Sequence, residues 1–209
     1  MKRLAPALTL AFALLLLAGA AAQPQVAAPP EKGALPGEID HKTVPFREVK
    51  LELKDFSFQT LEGKTINLRE ATRSGKAVLV TYFAAWCDNS AHDFETIKSL
   101  EAKYRKKGLR VIGVCEYSSR KEVQEYLEQH KPEYPVCIEG DDQTKKETTT
   151  HFSYRTQCGD ERKWGTPFTL LLRSKDITSA GEIVATELRA ATGELIRNDA
   201  EKTIRQCLK

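Results

Sequence analysis

The sequence predicts an α/β domain, a central mixed β-sheet flanked by helices with an N-terminal β-hairpin, and three observations carry that reading. Two continuous apolar runs rich in β-branched and aromatic residues, "KAVLVTYFAAW" and "LRVIGVCEY", have the composition of strands buried on both faces. Each is followed by a segment whose apolar residues recur at helical spacing. The chain then closes with two further strand-like runs and a helix. Strand, helix, strand, helix, strand implies right-handed crossovers and a parallel core to the sheet.

Taken in order, "VKLELKDFSFQTLEGKTINL" alternates apolar and polar residues around the turn signal "LEGKT" and is expected to form the hairpin. After "KAVLVTYFAAW", Ala91, Phe94, Ile97, Leu100 and Tyr104 recur every three or four residues, which predicts an amphipathic helix from Asp88 to Lys107, ended by Gly108. "SSRKEVQEYLEQH" reads as a second helix capped by Ser118 or Ser119, and "YPVCIE" as a third strand. The polar stretch 140–163 reads as a loop with a short helix around Lys145 to Tyr154. "TPFTLLLR" and "EIVATELRA" are an antiparallel strand pair joined by the turn "SKDITSAGE". "GELIRNDAEKTIRQCLK" is the closing helix.

Ahead of this domain, Lys2 and Arg3 precede the acid-free apolar stretch "LAPALTLAFALLLLAGAAA", which reads as a secretory signal peptide over residues 1–22, cleaved after Ala22. An uncleaved anchor is the alternative. Residues 23–45 hold five prolines and few large apolar side chains, the composition of a flexible linker. Residues 46–209 remain as one domain with room for a full core. Loss of Lys2 and Arg3 lowers the net charge from +3 to +1, so no electrostatic footprint for nucleic acid is left. The expected location is periplasmic or secreted.

Five cysteines in an exported chain, Cys87, Cys115, Cys137, Cys158 and Cys207, cannot all pair within one molecule, which makes the chain a redox candidate. They lack the paired spacings of a zinc site, and His41, His130 and His151 are scattered, so neither a metal nor a cofactor is expected. Cys87 follows Trp86 at the junction of a buried strand and a helix. There the unpaired backbone N–H groups and the positive end of the helix dipole favour a thiolate, the reactive form. Ser90, three residues on, shares the helix face and is expected to donate a hydrogen bond to the Cys87 sulfur. His92 and the neighbouring acids read as solvated helix residues.

The order "FSFQTLEGKTINL", "FAAWCDNS", "VIGV" and "WGTPFTLLL" resembles the extracytoplasmic thioredoxin-like proteins of the TlpA and ResA type, over about residues 50 to 208. The resemblance implies a thioredoxin-like fold and thiol-disulfide oxidoreductase chemistry on protein thiols and disulfides, with electrons from a partner such as a membrane-bound thiol donor. It implies that Cys87 is the attacking cysteine, that Trp86 is the aromatic residue before it, and that Thr166 and Pro167 form the cis-proline loop that receives substrate backbone; Trp86 itself is expected to shield the sulfur on the substrate-binding side. Ser90 stands where the family has its resolving cysteine, and Asp88-Asn89 replaces the commoner Pro-Pro or Gly-Pro, which makes this a Cys-x-x-Ser variant.

Without a sulfur at position 90, a mixed disulfide on Cys87 must be released by a substrate thiol, a small thiol or a displaced internal cysteine. Cys115, at the end of the neighbouring strand, is the first candidate resolving residue, since adjacent strands lie about 4.8 Å apart. The alternative for Cys115 is a buried, inert thiol. Cys158, in the loop entering "WGTPF", is the second candidate, with a structural disulfide to Cys137 as its alternative. Two other functions compete with exchange through Cys87: a non-catalytic binding module that keeps the fold, and a thiol peroxidase-like protein passing through a Cys87 sulfenic acid. The Pro, Thr and Cys pattern of the simplest peroxiredoxins is missing around Cys87.

Overall fold

In the computed structural model, which describes residues 41–209, every residue of the run Ala77–Phe83 is buried. The expected signal segment and most of the expected linker lie outside the described residues. The strands in chain order are Thr43–Val44 (β1), Arg47–Lys54 (β2), Ser57–Gln59 (β3), Thr65–Asn67 (β4), Ala77–Phe83 (β5), Leu109–Glu116 (β6), Val136–Gly140 (β7), Phe168–Arg173 (β8), Ile183–Ala191 (β9) and Glu194–Leu195 (β10). The helices are Leu68–Arg73 (α1), Asp88–Tyr104 (α2), Arg120–His130 (α3), Thr150–Gln157 (α4) and Arg197–Cys207 (α5).

Eight strands form one sheet in the order β2-β9-β8-β5-β6-β7-β3-β4. The pairs β5–β6 and β6–β7 are parallel, as the two crossover helices require, while β8 and β9 add antiparallel strands beyond β5. This is the mixed sheet flanked by helices that the pattern predicts. Alternate residues of β5 serve opposite faces. Leu79 and Phe83 pack with α2, α3 and α5, whereas Val78, Val80 and Tyr82 pack with α1 and α4. Each such fully buried side chain contributes roughly 1.5–3 kcal/mol.

The expected hairpin forms around its "LEGKT" turn, with shorter strands than expected. β3 and β4 pair with each other at one sheet edge, but β2 crosses to the opposite edge and pairs antiparallel with β9. Alternation of Val49, Leu51 and Leu53 specifies which face of the strand is inward but not which strand lies beside it. Two short elements add to the sequence reading. α1 is capped by Asn67, whose side chain accepts from the Glu70 N–H, and β1, at the far end of the expected linker, pairs in parallel with β10.

The middle of the chain follows expectation closely. Gly108, at φ +106°, ends α2 after one 3-10 turn in the left-handed conformation that glycine adopts most readily. Ser119, not Ser118, caps α3 in a reciprocal capping box with Glu122. The polar stretch before residue 160 holds a 3-10 turn at Gln143–Thr148 and then α4. No helix among the described residues is long and apolar enough to cross a membrane.

Candidate active site

β5 stops at Phe83, and a tight turn closed by the Cys87 N–H donating to the Ala84 carbonyl (3.1 Å) carries the chain into α2. Cys87 is the N-cap residue of that helix, and no side chain caps the first turn. Its backbone donors and dipole are therefore left for an anion at this position. The thiol is partly exposed, and its S–H donates to the Thr166 carbonyl at 3.7 Å. The Thr166–Pro167 peptide is cis, and both residues are buried. Two segments separated by seventy-nine positions thus meet at one sulfur.

Trp86 is held on both sides. Its indole N–H donates to the Tyr117 carbonyl (2.9 Å), and its ring meets Trp164 edge-on at 5.3 Å between centroids. Tyr117 follows β6 at φ +57°, a left-handed conformation uncommon for a bulky residue. The next residue, Ser118, is buried, and its hydroxyl accepts from the Ala85 N–H while donating to the Glu116 carbonyl, both at 2.9 Å. Ser118 therefore ties the Trp86-Cys87 turn to the neighbouring strand. Ser90 behaves differently from its expected role: it is 2% exposed and its hydroxyl accepts a long bond (3.5 Å) from the Ala84 N–H, with no hydrogen bond to the Cys87 sulfur. Its position one turn into α2 points the short side chain back under the β5–α2 turn.

The proline loop is clamped by a group that the sequence pattern does not reveal. Arg162 donates to the carbonyls of Gly165 (2.9 Å), Thr166 (3.3 Å) and Pro167 (3.1 Å), and pairs with Asp160 at 2.6 Å. Burial alone raises the Asp160 carboxyl, but the hydrogen bonds and charge of Arg162 outweigh it and hold the group below its ordinary value. Behind this pair, the buried Arg155 donates to the carbonyls of Asp160 and Arg162. Gly165, at φ +69°, leaves Arg155 its space, since a Cβ there would lie 2.2 Å from Arg155 Cδ. The polar run "GDERKWG" shows no periodicity, so a tertiary clamp of this kind has no one-dimensional signature.

All five cysteines are free thiols. The disulfide between Cys137 and Cys158, the alternative to Cys158 as a resolving thiol, is therefore not formed. Cys115 is fully buried opposite Phe83, and burial pushes its thiol up to about 12, against the lowering influence of Ser118 and two backbone groups. It is sealed within the core on the α2 and α3 face. Cys137 lies on the other face and is likewise pushed up to about 12 by burial. Cys158 ends α4, packs on the α1 and α4 face, and has its carbonyl bonded by Arg47 of the edge strand β2. Cys207 lies in α5, with Arg189 donating to its sulfur at 3.3 Å.

Two buried titratable groups flank the site from the α4 side. His151 shares a hydrogen bond with the Tyr117 hydroxyl (2.9 Å), and burial drives it down to about 3, so it is neutral. Neither oxygen of Glu116 meets a donor; burial first, then the nearby Glu139, pushes its carboxyl well above the ordinary range. One metal-capable cluster occurs among the described residues, formed by His41, His92 and Glu194.

Comparisons with known proteins bear on the family and the fold. Residues 49–162 match the model of the AhpC/TSA family. The thiol-disulfide oxidoreductase ResA of Bacillus cereus is 26% identical over 92 residues, covering 44% of this chain and 52% of ResA. The thioredoxin-like protein YneN of Bacillus subtilis (strain 168) is 31% identical over 88 residues, covering 41% of this chain and 50% of YneN. The chain thus spans about half the length of the curated relatives it matches. Among solved structures, a thiol:disulfide interchange protein from Chlorobium tepidum TLS superposes with a TM-score of 0.53 at 17% identity, covering 78% of this chain and 98% of that one. A secreted thiol-disulfide isomerase from Corynebacterium glutamicum gives 0.57 at 15%, covering 82% and 95%. With the matched segment running from β2 through the Cys87 turn to the Arg162 clamp, the chain belongs to the AhpC/TSA family and carries the thioredoxin-like fold.

Proposed function

We propose that the protein catalyses thiol-disulfide exchange on protein substrates through the single sulfur of Cys87. The observation that carries this reading is the partly exposed Cys87 thiol, at the uncapped start of α2, within 3.7 Å of the carbonyl that precedes Pro167. The Cys87 thiolate attacks one sulfur of a substrate disulfide, and the S–S electron pair leaves on the other sulfur, which takes a proton from water. The resulting mixed disulfide is opened by a second thiol, from the substrate or from a small external donor, which restores Cys87. Thr166 and Pro167 hold the substrate backbone, and Trp86 with Trp164 screens one side of the sulfur. Ser90 keeps the turn in shape and cannot trap the intermediate as an internal disulfide. The burial of Cys115 and the placement of Cys158 on the α4 side favour an external resolving thiol. We further propose export, on the strength of the apolar segment that follows Lys2 and Arg3, with a membrane-bound thiol donor as the electron source.

Insulin reduction in the presence of a small thiol tests the proposal. Cys87→Ser abolishes turnover and Ser90→Cys raises it, by closing the mixed disulfide internally. Equal turnover in all three forms excludes the reading and leaves a binding module. Peroxide consumption without disulfide reduction identifies a thiol peroxidase instead.

A further inference from the structure

Two histidines far apart in sequence converge on one buried carboxylate. His41 precedes β1, His92 lies in the second turn of α2, and Glu194 belongs to β10. His41 Nδ1 is 2.8 Å from Glu194 Oε1, and His92 Nδ1 is 2.5 Å from Oε2, so the two imidazoles bracket the same group from either side. Their rings lie 4.4 Å apart, and one donor atom from each of the three residues falls within 4.8 Å of the others. The carboxylate is 1% exposed while the histidine side chains are 41% and 58% exposed, which gives the cluster a buried floor and a mouth open to water.

The backbone around this cluster is fixed independently of the three side chains. β1 runs parallel to β10 with Thr43 opposite Glu194, and a Cβ on Gly193 would lie 2.8 Å from the Lys42 carbonyl, so only glycine lets the two segments approach. Asp93, beside His92, accepts the Leu195 N–H through Oδ1 at 2.8 Å and holds β10 against α2. Its Oδ2 is buried without a partner. Two acidic side chains are thus taken out of water side by side, which calls for positive charge at this corner.

We propose that His41, His92 and Glu194 bind a divalent cation of the zinc, copper or nickel class. Two imidazoles and one carboxylate are the donor types these ions take, and three protein ligands leave a position for water. Calcium and magnesium, which take oxygen ligands, do not suit the set. Both imidazoles are on exposed side chains, free to turn toward an ion whose coordination needs donor distances of roughly 2.0–2.2 Å. The bound ion would fasten the segment leading into the domain to the helix that carries Cys87 at its start.

Calorimetric titration of the full, chelator-treated protein with Zn²⁺, after native-state alkylation of accessible thiols, tests this. One ion per chain is expected, together with a shift of the Nδ1 resonances of His41 and His92 in the ¹⁵N spectrum. His41→Ala and His92→Ala, both at exposed side chains, each weaken binding by at least about 100-fold, since loss of a mere outer-shell partner already costs about 10–100-fold. No binding by the alkylated wild type, or undiminished binding by the double histidine variant, overturns the proposal and leaves the cluster as imidazole–carboxylate hydrogen bonds only.

Discussion

Cys115 is registered opposite Phe83, the last residue of β5, whereas Cys87 lies four positions further along the same chain, beyond the end of the sheet. The two thiols lie near the same ends of neighbouring parallel strands, yet their surroundings have little in common. Cys115 is enclosed by the aromatic core under α2 and α3, and the cost of placing an anion there pushes it up to about 12. Cys87 has cleared the sheet and sits where unpaired helix amides and a backbone carbonyl meet solvent. A displacement of a few residues relative to the sheet edge therefore separates a thiol enclosed in the core from one left partly open to solvent.

Several measurements can break or sharpen this contrast. The largest effect should appear in native-state alkylation followed by mass mapping, where Cys87 reacts at least about 100-fold faster than Cys115, whose reaction must await opening of the core. Comparable rates would mean that burial does not separate the two. Next comes the clamp on which the Cys87 side depends. Arg162→Ala strands the buried Asp160 and three backbone carbonyls and should lower stability by about 2 kcal/mol in urea unfolding. Lys at this position should restore little, because an ammonium cannot reproduce the planar fork. An unchanged midpoint would show that the loop is held by other contacts.

The pH dependence of stability reads the other side of the sheet. Glu116 has its folded-state value raised above the unfolded one, so it holds a proton that the unfolded chain releases above about 4.5. Its contribution is complete below that pH and is lost as pH rises, by up to about 1.4 kcal/mol per pH unit. His151, lowered to about 3, acts in the opposite direction and costs stability as pH falls below about 6.5. Glu116→Gln should therefore flatten the alkaline limb of the stability curve and leave the acid limb in place. An unaltered alkaline limb would mean that Glu116 is ionised in the folded protein. The smallest effect is expected at Cys115 itself. Cys115→Ala should cost about 1 kcal/mol through the small cavity it leaves and keep exchange within about twofold of wild type. A loss of exchange comparable to that of Cys87→Ser would restore Cys115 as a resolving thiol.

Much of this architecture was legible in one dimension because periodicity reports how each segment is buried. The unbroken apolar run of β5, the helical spacing from Ala91 to Tyr104 and the terminating Gly108 are local patterns, and the structure follows them. β2 shows where such reasoning stops, because an alternating strand specifies its inward face while its partner, here β9, is chosen by the rest of the sheet. The same limit applies to Ser90: its spacing from Cys87 is correct for a shared helix face, but its hydroxyl accepts instead from the Ala84 amide, six positions earlier and ahead of the helix.

The sequence by itself determined the α/β order, the placement of Cys87 at a strand-to-helix junction, and the presence of Thr166 and Pro167 in a later loop. Only the tertiary structure decided that those two segments meet, that Cys115 is shut away, that Arg162 grips the proline loop, and that His41, His92 and Glu194 share a corner. The physical reason is the range of the forces involved. Burial of a repeating face is written in neighbouring residues, whereas a hydrogen bond or a charge pair between side chains 102 or 153 positions apart exists only once the whole sheet has set its register.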